Sequence, residues 1–127
     1  MARPTSSTVT VASGGAKSAF IDARALVALV QAQIPVVGMF APSAVEALSA
    51  KLRWYASPDG SGSSEVPITD ESGNDIVTTF AVDTAIELDV KRFLRWPYLL
   101  FEIVKADGTT AVNQAADRVF TLSAESL

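Results

Sequence analysis

The chain of 127 residues contains no cysteine and no histidine. Without cysteine it cannot form a disulfide, a thiolate metal site or a cysteine nucleophile. Without histidine it lacks the commonest general base, the imidazole metal ligand and every Ser–His or Cys–His dyad. An enzyme built on this sequence would depend on carboxylates, lysine, tyrosine or serine.

Charged residues are also scarce, at 19% of the chain, and the net charge is −4. An acidic balance argues against a nucleic-acid partner, which needs a basic surface. Apolar residues make up 49%, which is too many for a disordered tail. With so few charges to cover its surface, the chain is expected to have part of that surface covered by partners.

One long stretch, Ala25 to Val45, carries no charge over 21 residues. That is long enough to span a bilayer, but two glutamines, two prolines and a glycine interrupt it. We therefore expect no membrane partner. A buried strand over Arg24 to Gln31 is predicted instead, followed by an apolar loop over Ile34 to Ser43. The N-terminus has no apolar core typical of a secretory signal.

In the second half, apolar and polar residues alternate in short runs separated by turn signals every 8 to 12 residues. Such alternation predicts half-buried antiparallel strands. Pro67 confines its run to a sheet edge. The predicted strands are Leu48 to Ala56, Glu65 to Thr69, Ile76 to Val82, Ile86 to Val90 and Arg118 to Leu122, and the strongly apolar run Tyr98 to Lys105 is predicted as a further strand. The pattern predicts an all-β fold, a single antiparallel β-sandwich domain of jelly-roll or Ig-like type with about eight strands over residues 1–127.

Residues 1–12 are predicted to form an extended N-terminal arm. Its segment Thr5 to Val11 is rich in hydroxyl and β-branched residues, which favours a strand. That strand would pair either within its own sheet or with a neighbouring copy. After the Gly14-Gly15 turn, Lys17 to Asp22 is predicted as a second short strand.

The apolar loop supplies the predicted subunit interface. Its prolines exclude a long regular element, and its large side chains would form a patch that a soluble monomer rarely tolerates if all were exposed. Either the domain's own core or another subunit must cover them. We expect a subunit, because the strand before the loop already supplies core. With two valines of the arm, the predicted interface residues are Val9, Val11, Ile34, Val36, Val37, Met39 and Phe40.

No catalytic, metal or cofactor site is predicted. The acidic turn Asp70 to Asp75 does not have the ligand spacing of a twelve-residue calcium loop. Glu87 and Asp89 lie on the polar face of a strand, where solvated charges are ordinary. Ser43 and Glu46 have the spacing of a capping box, which predicts at most one helical turn.

Four aromatic residues leave two interpretations open. Trp54, Tyr55, Trp96 and Tyr98 could form a platform that stacks on a surface glycan, as in a carbohydrate-binding module. Alternatively, Trp54 faces the core and Tyr55 lies outside it beside Lys51 and Arg53, which is the structural interpretation.

Several segments together resemble a known class of protein. They are Leu52 to Gly60 with its Ser-x-Asp-Gly turn, Val66-Pro67-Ile68, Ile86-Glu87-Leu88-Asp89 leading to Phe93, and Arg118 to Leu122. This pattern resembles the small β-sandwich structural proteins of tailed-bacteriophage virions, such as head decoration or cement proteins, spikes and tail accessories. The resemblance covers about Leu48 to Leu122.

The resemblance implies a non-enzymatic virion part that works in repeated copies. The most concrete expectation is a capsid decoration or cement protein that acts as a symmetric homo-oligomer, with a trimer expected first. Its partners would be itself and the major capsid or other virion proteins, on the capsid surface rather than the tail, after synthesis in the host cytoplasm. A neck, tail or fibre accessory protein and a carbohydrate-binding module remain the alternatives.

Overall fold

A computed structural model describes residues 5–23, 35–88 and 96–126. In these ranges the regular elements are nine strands. They are β1 (Thr5–Val11), β2 (Ile21–Asp22), β3 (Pro35–Phe40), β4 (Ser49–Ser57), β5 (Val66–Pro67), β6 (Val77–Thr79), β7 (Ala85–Leu88), β8 (Tyr98–Lys105) and β9 (Arg118–Ser126).

The strands form two antiparallel sheets. The first sheet has the order β1-β9-β3-β7, and the second has the order β2-β8-β4-β5, with β6 also paired to β4. The long β4 and β8 form the centre of the second sheet, and β9 and β3 form the centre of the first. The segment after β1 connects the sheets, because Ser18 bridges to Val11 while its backbone N–H donates to Phe101 of β8.

The core lies between the two sheets and receives alternate residues from each strand, as the period of a strand requires. A chain of aromatic rings runs through it. Phe101 of β8 contacts Trp54 of β4 and Phe120 of β9 edge-on, with ring centroids 5.3 and 4.8 Å apart. Phe80 extends the chain to Phe120 at 5.9 Å. These contacts join the two sheets, and the predicted antiparallel β-sandwich is confirmed.

The predicted strands agree well with the observed ones where local pattern is strong. Tyr98 to Lys105 is β8 with the predicted bounds, and Thr5 to Val11 is β1. Pro67 lies in a two-residue strand at the edge of the second sheet, where its missing N–H is tolerated. The predicted buried strand over 24–31 lies outside the described residues.

The expected loop over Ile34 to Ser43 was wrong. Residues Pro35–Phe40 form β3, which pairs with both β7 and β9. Pro35 occupies the first position of the strand, where proline is permitted, and Pro42 follows its end. The two prolines therefore bound the strand instead of interrupting it.

The expected helical turn after Ser43 is also absent from the described structure. The Glu46 carboxylate instead accepts a hydrogen bond from the backbone N–H of Ala115 at 2.9 Å and lies 3.4 Å from the guanidinium of Arg118. The backbone N–H of Glu46 donates to the side chain of the buried Gln114 at 3.0 Å. Glu46 thus anchors one loop to another across 69 residues of sequence.

Candidate assembly surface

The outer face of the first sheet is an open surface of small and hydroxyl side chains. Register places Thr8, Thr121, Phe40 and Ala85 side by side across its four strands. Phe40 lies in this row and is 52% exposed. Val119, two residues from Thr121 on the same face, is 46% exposed. We call this surface the open face.

The open face carries almost no charge. Among its described side chains, only Glu87 is charged, and it lies at one end of the face beside Gly38. The other end has only threonine, valine, phenylalanine and alanine among its described side chains. Gly38 lies at a close approach of two strands, because a Cβ there would lie 3.3 Å from the backbone oxygen of Ile86, which is a tight contact.

The predicted interface residues divide between the core and this face. Four of them lie in the chain's own core: Val9, Val11, Val37 and Met39. The sequence left two ways to cover this apolar segment, the domain's own core or another subunit. For Val37 and Met39 the structure shows the domain core. Phe40 is on the open face, the backbone of Val36 pairs with Glu125, and Ile34 lies outside the described residues.

In its described residues the arm forms β1, an edge strand of the chain's own first sheet. All seven residues of β1 pair in unbroken register with β9. The sequence prediction included its two valines and missed the residues on the opposite face of the strand. The missed open-face residues are Thr8, Thr10, Val119, Thr121 and Ser123. Their signal was visible as Ser or Thr at alternate positions 6, 8 and 10 of β1 and at positions 121 and 123 of β9, but only the pairing of β1 with β9 places the two rows side by side.

The outer face of the second sheet has the opposite character, because ion pairs and buried side chains close it. Arg53 of β4 lies directly opposite Glu102 of β8 and also reaches Asp75 at 2.7 Å. Lys17, from the segment after β1, forms an ion pair with Glu65. Leu100 and Val104, the outward residues on either side of Glu102, are buried. We call this surface the closed face.

Tyr55 lies at the centre of the closed face. Its hydroxyl donates to Glu102 Oε1 at 3.1 Å, and two cations lie over its ring, Lys17 Nζ at 4.7 Å and the Arg53 guanidinium at 5.3 Å from the centroid. Burial, followed by the negative charge of Glu102, raises the pKa of Tyr55 to about 12. The tyrosine is therefore a neutral hydrogen-bond donor within a structural network.

The acidic turns are occupied by their own backbones. Asp70 accepts from the N–H groups of Ser72 and Asn74 at 2.9 and 3.0 Å. Hydrogen bonds from Thr110 hold the pKa of Asp107 down at about 2. Asp59 of the Ser-x-Asp-Gly turn accepts from Ser64 and from the Ser61 N–H, which lowers its pKa as well. These carboxylates stabilise turns.

The four aromatic residues do not form one platform. Trp54 is in the core, and Tyr55 is on the closed face beside Arg53, as the structural interpretation predicted. The ring of Tyr98 packs beside Gly60, since a Cβ built on that glycine would lie 3.5 Å from the ring. Trp96 is 40% exposed in the bend before β8. A glycan partner stays an untested prediction.

Residues 5–23, 35–88 and 96–126 contain no group of three or more acidic side chains placed to hold a metal ion. Within the same ranges no helix has the length and apolar character to cross a membrane.

No protein-family model matches the chain, and no curated protein matches it either. Among solved structures, the chain is similar to the crystal structure of the SPBc2 prophage-derived protein YomS. The alignment covers 98% of this chain and 97% of that one, with 12% identity and a TM-score of 0.48. A likeness at this level does not extend to function.

Proposed function

We propose that the chain is a non-enzymatic structural protein of a tailed-phage virion. In its most specific form it is a capsid decoration or cement protein that assembles as a symmetric homo-oligomer. The observation that supports this is the open face, on which an acidic protein presents a nearly uncharged sheet with Phe40 half exposed in one of its rows.

The physical argument starts from the contrast between the two outer faces. A solvated sheet face normally carries charged or strongly polar residues at its outward positions. The closed face follows that rule with four ionised side chains in two ion pairs. On the open face, valine and phenylalanine cost little to desolvate, and threonine hydroxyls can exchange water for a hydrogen-bonding partner. Another protein surface can therefore cover these side chains without leaving a buried charge unpaired.

The proposal also fits the resemblance of residues 48–122 to virion β-sandwiches, since the segments that carry it have structural roles here. The Ser-x-Asp-Gly turn closes on itself through Ser57 and Asp59, with Gly60 at φ +73°. Arg118 to Leu122 lies in β9, at the centre of the open face.

Two measurements test the proposal: whether phage particles contain the chain, and whether binding of the chain to particles depends on the open face. Purified particles of the encoding phage should contain the protein by mass spectrometry, and purified protein should rebind particles that lack it. Phe40→Ser should weaken that binding at least about tenfold, as for a residue central to an interface.

A matched control is Val66→Ser, which removes an equally exposed apolar side chain from the edge of the second sheet. It should bind particles like the parent chain. Absence from particles, together with no rebinding, would overturn the proposed function. Binding to glycans that is lost in Trp96→Ala would favour the carbohydrate-binding alternative instead.

A further inference from the structure

The four sheet edges of the sandwich differ in how they are protected. Edge strands tend to pair with other chains, and proteins usually prevent this with short strands, charges, proline or cover. In the described part of the chain, three of the edges have such protection. β2 is two residues long, the two-residue β5 with Pro67 shares its edge with the three-residue β6, and β7 has four residues including Glu87.

The fourth edge, β1, is long and uncharged. It has seven residues, all serine, threonine or valine, and it pairs with β9 without a bulge. In the described part of the chain, its other side has a partner only at the C-terminal end, where the Ala19 N–H donates to the Thr10 carbonyl at 3.1 Å.

The hydrogen bond from Ala19 to Thr10 shows which backbone N–H and C=O groups of β1 point away from β9 and could pair with another strand. In an antiparallel strand, alternate residues direct both N–H and C=O to the same side. Because the Thr10 carbonyl points away from β9, those of Thr8 and Ser6 do so as well. Among the described residues, none bonds to these outward groups of Thr8 and Ser6.

We infer that β1 pairs with β1 of a second copy of this chain, antiparallel and across a two-fold axis at Ser7. This deepens the proposed function, on which it rests. Ser6 would then lie opposite Thr8 of the second copy and Thr8 opposite its Ser6, giving four interchain backbone hydrogen bonds. Pairing stops beyond Thr8, where Ala19 already occupies the edge.

A second copy fits this edge for three reasons. The partner must itself offer an unprotected strand edge, and of the described edges this chain has one in β1. Two chains of net charge −4 repel each other, so they approach most readily where neither carries charge. A two-fold axis also makes the register self-consistent, because each contact occurs twice.

The pairing has a consequence for the open face. At about 4.8 Å per strand, the four-stranded face is about 19 Å wide, and joining two copies edge to edge gives one continuous face about 38 Å wide. A two-fold contact builds a dimer, or a hexamer of two trimers, and it therefore departs from the isolated trimer that the sequence suggested.

The test uses the full chain and sedimentation equilibrium over a range of concentrations. Thr8→Pro removes the outward N–H that the pairing needs, and an edge position whose N–H faces solvent tolerates proline in the folded monomer. We expect Thr8→Pro to raise the dissociation constant of the dimer at least about tenfold. The matched control Thr8→Ala keeps the N–H and should dimerise like the parent chain.

Amide hydrogen exchange on the parent chain gives a second measurement that needs no variant. The N–H groups of Ser6 and Thr8 should become protected from exchange as the protein concentration rises. This result decides the proposal even if Thr8→Pro fails to fold. Fast exchange at both amides in the assembled protein would overturn the pairing.

Three further results would also overturn it: a folded Thr8→Pro that assembles normally, equal loss of assembly in Thr8→Ala, or an isolated trimer. None of these three bears against the virion role, which fails only by absence from particles and loss of rebinding. The two proposals therefore fail separately.

Discussion

Each outer face of the sandwich is formed by a central antiparallel pair of strands and its neighbours. In the described part of the chain, only the closed face has its outward side chains paired or covered by other segments. On the closed face, Lys17 from a distant segment covers Tyr55, and Arg53 is neutralised by Asp75 and faces Glu102. On the open face, Phe40 and Val119 remain exposed. On the closed face the charges are paired within the chain, whereas the open face has few charges and exposed apolar side chains, which is why we propose the open face for contacts with other molecules.

The largest expected difference between a buried and an open-face position comes from substituting two neighbouring residues of β3. Met39 is 1% exposed in the core, whereas Phe40 points to the open face. Met39→Asp should destabilise the fold by about 3–5 kcal/mol, because the carboxylate would be buried without a partner. Phe40→Asp should change the free energy of unfolding by no more than about 0.5 kcal/mol. Urea unfolding followed by circular dichroism measures both, and comparable losses would show that Phe40 belongs to the core.

A smaller effect compares one glutamate on each face. Glu102 is buried opposite Arg53 and accepts from Tyr55, whereas Glu87 is exposed on the first sheet. Glu102→Gln should cost about 1–2 kcal/mol because a charge-assisted pair is lost, and Glu87→Gln should cost less than about 0.5 kcal/mol. A double-mutant cycle with Tyr55→Phe should give a coupling energy for Glu102. Equal effects of the two glutamate changes would show that the closed face is not held by its charges.

A third effect, of similar size, is a pH dependence of stability that belongs to the closed face. The pKa of Tyr55 is raised from 10.0 to about 12 in the folded chain. Between these values the unfolded chain has released the proton and the folded chain has kept it, so stability falls as pH rises from about 10 to 12. The loss should be about 1–2 kcal/mol, allowing for partial solvent screening. Tyr55→Phe should flatten this part of the stability profile, and Tyr98→Phe controls for removal of a tyrosine as such.

Local pattern determined several of the strands and turns. The apolar run of Tyr98 to Lys105, the Asp-Gly turn at Asp107 and the edge position of Pro67 were all readable from a few neighbouring residues, because strand composition and turn chemistry are local properties. The absence of cysteine and histidine from the sequence likewise excluded whole classes of catalytic and metal sites.

What only the tertiary structure decided is which side of each strand is covered. Met39 and Phe40 are both apolar, and their sequence does not state which one faces the core. The answer depends on β3 lying between β7 and β9, and on β1 pairing with β9 more than a hundred residues away. Such pairings are set by the burial of the whole sandwich. The open face and the unprotected β1 edge therefore exist only in the folded chain, although every residue that forms them was visible in the sequence.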